Sequence, residues 1–301
     1  MGRRFRRQCF VGLIGALLAL DPHGRISVAA MQSLAASVRY PTVAFVVSCQ
    51  FSHRSSDDPI VHHGNPGASH EHDFFGNTST NAASTARSLS RGSTTCNESA
   101  DRAAYWLPTL KGGAWNTNMR AYYSAGSVSP SSILVYPRGL QLIAGPPMTT
   151  DVPRVEVVAF SCGRGVDDPG WTTTPSVCNG PTTARLTFPQ CWDGKHLNAP
   201  GNAVSAVAGR CSSAYPVALP LLRLVVSTKA RVEPSTFTTS AGAVNRLHAD
   251  FFNAWEPAGI DRLIAVCIRG ERASNRDVKR CRGVGTGPRA AGGPDKDETN
   301  F

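Results

Sequence analysis

Four of the chain's eight histidines fall in the stretch HHGNPGASHEHDFFGN, residues 62–77. Two of these, His70 and His72, are separated by a single residue. On an extended strand that spacing turns both imidazoles to one face and Glu71 to the other, so the pair could share a metal ion. Asp58 and Asp73 are carboxylates close in sequence that could ligate, or orient a ring from behind. A third imidazole must come from elsewhere, and HADFFNAW (248–255) offers His248 with Asp250 two residues on. Both segments place Asp-Phe-Phe just after a histidine, as two strands facing each other in adjacent positions would. His70, His72 and His248 are the candidate ligands of a divalent metal.

The same residues suit a second chemistry. Cleavage of a glycosidic bond needs carboxylates or an imidazole held as acid and base. His70, His72, Asp73, Asp193, His248 and Asp250 are the candidate catalytic groups for it, with Trp106, Trp192 and Trp255 as stacking faces for sugar rings. More specific motifs fail. HExxH, GxSxG and CxxC are absent. A cupin-like reading requires a glutamate four or five residues beyond His72, where Gly76 and Asn77 stand. Three functions stay open: an enzyme acting on extracellular or cell-wall polysaccharide, a non-catalytic cell-wall or glycan-binding protein in which the same polar residues form a buried hydrogen-bond network and the aromatics bind, and a metal-binding structural or redox protein.

These residues need a scaffold, and its signals are mainly β. Apolar or alternating runs of strand length recur between turns: VAFVVSCQF, SILVYP, LQLIAG, RVEVVAFSC, ARLTFP and VALPLLRLVVS. Only PAGIDRLIAVCIR (257–269) has helical spacing, with Pro257 near its start. The Ser/Thr-rich stretch 77–95 reads as an exposed loop. The pattern predicts one β-sandwich or jelly-roll domain over residues 40–268, closed by one C-terminal helix, with a disordered polar tail over 269–301.

The N-terminus has the layout of an export signal over residues 1–30: basic MGRRFRRQ, apolar CFVGLIGALLAL, and small residues ending at Ala30. Export predicts a secreted protein with no membrane association once the signal is removed. Cys9 lies in that signal, leaving eight cysteines, an even number suited to disulfides. Sequence neighbours suggest the pairs Cys162–Cys178 and Cys191–Cys211. The net charge of +10 is concentrated at the ends, since residues 1–30 carry five Arg against one Asp, and the tail from Arg269 carries eight basic residues against five acids. The body has no basic cluster, which argues against a nucleic-acid partner.

Several segments taken in order resemble one family, DUF1996, a domain of unknown function. They are DPIV (58–61), PGASHEHDFFGN (66–77), DRAAYWLPTL (101–110), FPQCWDG (188–194), YPVALPLL (215–222) and HADFFNAW (248–255). The resemblance implies a secreted protein in an extracellular glycan setting. It places His70, His72, Asp73, Trp106, Cys191, Trp192, Asp193, His248 and Asp250 on the family's motifs. After FPQCWDG the family commonly continues with a segment of the form DHxSHM. Here the chain reads HLNAPGNAVSAVAGRC, retaining only His196 nearby.

Overall fold

The computed structural model describes residues 44–145, 156–163, 166, 170–198, 201–271 and 281. The predicted export signal and most of the C-terminal tail lie outside them. In chain order the elements begin with β1 (Phe45–Ser55), β2 (His72–Gly76), α1 (Ala86–Leu89), β3 (Ala104–Pro108), β4 (Leu110–Lys111) and β5 (Asn118–Ser124). Next come β6 (Gln141–Ala144), β7 (Val158–Ser161), β8 (Thr183–Thr187), β9 (Cys191–Trp192), β10 (Ala203–Val204) and β11 (Val217–Ala218). The chain ends with β12 (Leu221–Ser227), β13 (Thr238–Thr239), β14 (Gly242–Ala243), β15 (Ala249–Phe252) and α2 (Pro257–Leu263), which runs on as a π-helical turn, Ile264–Ile268.

The fold is mainly β. Nine strands form one antiparallel sheet in the order β6-β15-β3-β2-β1-β5-β12-β8-β7. Its two edges approach each other, because Gly145, just past β6, packs against Val158 at the start of β7. The sheet is nearly closed, which removes most of the unpaired edge that an open sheet would expose. Alternation explains the curl. Phe45, Val47 and Cys49 of β1 and Leu222, Leu224 and Val226 of β12 all turn inward, and all nine strands contribute to one core. Each large apolar side chain buried there contributes about 1.5–3 kcal/mol.

Helix α2 closes this core with Ile260 and Leu263, and the π turn adds Ile264 and Cys267. Pro257 stands at its first turn, where a missing N–H costs nothing. Four disulfides tie the loops: Cys49–Cys96, Cys162–Cys178, Cys191–Cys211 and Cys267–Cys281. Both pairs expected from sequence are among them. No helix among the described residues is long and apolar enough to cross a membrane.

Two expectations need correction. SILVYP forms no strand of its own: Ser132 ends a 3₁₀ turn, the Leu134 amide donates to the Ala218 carbonyl of β11 at 2.9 Å, and buried Tyr136 donates to the Pro220 carbonyl. The stretch 77–95 is a built cover rather than a free loop. Thr85 and Ser88 cap the one-turn helix α1 reciprocally, and Leu89 from its end is fully buried. Asn77 is buried too, donating to the Leu89 and Arg102 carbonyls at 2.8 and 2.7 Å. Short polar side chains here bond the backbone locally, which allows a Ser/Thr-rich segment to hold one shape. Leu89 and Ile60 lie against Phe74, Trp106 and Phe252 on the outer face of β2, β3 and β15.

Candidate metal centre

Strand order brings the two histidine segments together across one intervening strand. β3 lies between β2 and β15, so the segments flank it rather than pair directly. His72 is opposite Pro108 on β3, and Asp250 is opposite Trp106 two positions along. By the same register His248, just before β15, falls level with His72. The compact Pro108 separates them, and imidazoles from either side span the roughly 10 Å of two strand spacings. His70 precedes β2 but keeps to the face of His72, with ring centroids 4.3 Å apart. His248 stands edge-on to both, at 5.1 Å from His70 and 5.8 Å from His72. The three rings can place one nitrogen each within 4.8 Å of one another.

The hydrogen bonds decide which nitrogens are free. His72 Nδ1 lies 3.0 Å from the Asp57 carbonyl oxygen, and His248 Nδ1 lies 2.8 Å from that of Arg246. A carbonyl only accepts, so each Nδ1 carries the proton and each Nε2 presents a lone pair. Nε2 of His70 and of His72 is buried and has no hydrogen-bond partner. Burial and the neighbouring rings push His72 well below the ordinary imidazole range. Burial lowers His248 to about 4, and it lowers His70 against the pull of Asp58. All three rings are therefore neutral near pH 7, the state in which imidazole ligates.

Asp250 lies beside His248. Its carboxylate is fully buried, neither oxygen has a hydrogen-bond partner, and Oδ2 lies 3.8 Å from His248 Nε2. Burial, with Asp58 nearby, raises it well above the usual carboxylate range. Asp58 accepts from the amides of Ile60 and Val61, both at 2.9 Å, and thereby shapes the loop that carries His70.

The other candidates lie elsewhere. Asp73 follows His72 directly and so points to the opposite face, where Arg54 grips it through Nε at 2.6 Å and an Nη at 3.1 Å. Asp193 sits in the turn after β9 and bonds locally. Desolvation tends to raise it, but the His196 ring at 2.5 Å and the amides of Lys195 and His196 outweigh that and lower it to about 2. Trp192 is half-buried and donates to the His196 carbonyl. Trp106 is fully buried against Phe74, with its Nε1 unpartnered. Trp255 is 2% exposed and donates to Tyr123. Neither Trp106 nor Trp255 offers a face to a sugar. His53 is half-buried, stacked on Phe74 and bonded to the Thr80 carbonyl.

The backbone carbonyls of Asp57 and Arg246 were invisible to side-chain reasoning, since any residue supplies one. Compared with curated proteins and with solved structures, the chain matches none. One family profile does match, over residues 58–255, a span that begins at the Asp58 turn and ends just past the His248–Asp250 strand. The chain accordingly belongs to the family described as a domain of unknown function, DUF1996.

Proposed function

We propose that the chain is a secreted metalloprotein in which His70, His72 and His248 bind one divalent transition-metal ion through Nε2, with Asp250 as the fourth donor. The observation that supports this reading best is the unpartnered state of the buried polar atoms. Two imidazole nitrogens and both oxygens of Asp250 are removed from water with nothing to bond. Burial opposes ionisation of the Asp250 carboxyl, and a dication among these donors would stabilise its ionised form. Three imidazoles and a carboxylate are a donor set suited to Zn²⁺, which takes nitrogen and oxygen ligands in tetrahedral sites. The Nδ1 contacts to backbone carbonyls are the outer support that metal-bound imidazoles use. Four disulfides fit export to an oxidising compartment.

Elemental analysis of the secreted protein, purified without a histidine tag or chelator, tests the reading. The expected result is one tightly held metal per chain, falling to background in His70→Ala while the circular dichroism spectrum is unchanged. A metal-free native protein that takes up no Zn²⁺, Cu²⁺ or Mn²⁺ on dialysis would discard it.

A second reading concerns extracellular polysaccharide and moves to another edge of the fold. The exposed His196, bonded to Asp193, stands beside the half-exposed Trp192. This is an imidazole base with a carboxylate partner and an aromatic face. Trp192→Ala should weaken retention on an insoluble cell-wall polysaccharide by about 10-fold, a loss of roughly 1.4 kcal/mol. Unchanged retention, measured by pull-down, would exclude that edge as a glycan surface.

A further inference from the structure

The sequence holds two triplets of the type Asn-X-Ser/Thr, Asn77-Thr78-Ser79 and Asn97-Glu98-Ser99. Such triplets are acceptors for N-linked glycans in exported chains, and the fold treats these two in opposite ways. Asn77 is fully buried, and its amide nitrogen donates to two carbonyls, those of Leu89 and Arg102. A sugar on that nitrogen would displace a donated hydrogen and fill space held by α1. Asn97 is exposed, in a turn outside any helix or strand, just after the Cys49–Cys96 bridge. Its Oδ1 accepts from the Ser48 amide at 3.0 Å, which fixes the side chain, while its Nδ2 donates to no described residue. Ser99 is exposed as well. The side chain borders an open surface groove lined also by Phe45, Val46, Val47, Glu98 and Leu263.

We propose that Asn97 is an N-glycosylation site and that Asn77 remains unmodified in the folded protein. The inference rests on the export reading. The donor is an oligosaccharide esterified to a polyprenyl diphosphate. Asn97 Nδ2 bonds to the anomeric carbon, the bond from that carbon to the diphosphate oxygen breaks, and polyprenyl diphosphate leaves. The amide nitrogen loses one proton to a base of the transferase. Transfer precedes folding, so the fold selects among products. A chain modified at Asn97 keeps every hydrogen bond of the turn, whereas one modified at Asn77 cannot re-form both bonds to Leu89 and Arg102.

The test is to express the full chain with its own N-terminus in a eukaryotic secretory host and recover it from the medium. Intact mass is read before and after peptide N-glycosidase treatment in heavy-oxygen water. The expected result is the loss of one glycan, with heavy oxygen incorporated at Asn97 and none at Asn77, and a single unglycosylated species for Asn97→Gln. Secreted, disulfide-bonded protein without a glycan at Asn97, or with one at Asn77, would overturn the proposal while leaving export intact. Protein retained inside the cell without its disulfides would overturn the export reading and the proposal with it.

Discussion

Metal-free protein saturated with Zn²⁺ is expected to melt roughly 10 °C higher than before, and His72→Ala is expected to lose that rise. A ligand that binds the folded state alone stabilises it by about 4 kcal/mol at a thousandfold excess over its Kd. Each kcal/mol moves the midpoint by about 2–4 °C in a domain of this size. The unfolded chain competes weakly, because the eight cysteines outside the predicted signal are held in disulfides and cannot capture zinc. His72 is the most informative position. It is fully buried, its Nδ1 is bonded to the Asp57 carbonyl, and its Nε2 has no partner. If the histidines only filled space, His72→Ala would lower the midpoint with or without zinc, by the cost of a cavity. If they ligate, the zinc-dependent part of the midpoint disappears. Calorimetry of both proteins with and without zinc separates the outcomes, and an equal midpoint for the wild type in the two conditions would contradict the metal centre.

Much of this centre was legible from two numbers, the spacing of His70 to His72 and of His248 to Asp250. Both are even, and even spacing keeps side chains on one face of a strand. The same parity separates the two aspartates. Asp250 shares the face of His248, whereas Asp73, one residue from His72, must turn away, and it is bonded to Arg54 on the other side. The strand order was not legible. Placing β3 between the two histidine segments is a non-local outcome, carried by pairing across residues 72–252 and by no single motif. Two of the three candidate tryptophans went to the core for a different reason. An indole suits a core as well as a sugar, and Trp106 and Trp255 went to the interior because their alternating partners, Phe74 on one side and Tyr123 on the other, were already there. In the stretch 77–95, composition suggested exposure, but one deeply bonded Asn77 and one buried Leu89 were enough to fix it.

The second large effect lies in the main core. Asp101 is fully buried and accepts from the Tyr105 hydroxyl at 2.7 Å and from the Ala103 amide at 3.1 Å. Trp255 can only donate, so its Nε1 bonds to the Tyr123 hydroxyl, 2.7 Å from that of Tyr105, and the three aromatic donors run in line toward the carboxyl group. Burial outweighs these hydrogen bonds and raises Asp101 to about 8. An unfolded aspartate titrates near 3.9, so between about pH 4 and pH 8 the folded chain holds a proton that the unfolded chain has released. Stability from this group is therefore full below pH 4, falls as pH rises through that window and levels off above pH 8, a change on the order of 5 kcal/mol. Asp101→Asn keeps the shape and the acceptor oxygen but cannot titrate. Subtracting its denaturation free energy from that of the wild type at each pH cancels the histidines and Asp250, leaving Asp101 alone. The expected difference favours the wild type by more at pH 4 than at pH 8. A flat difference would mean that the hydroxyls of Tyr105 and Tyr123 hold Asp101 ionised in the core throughout.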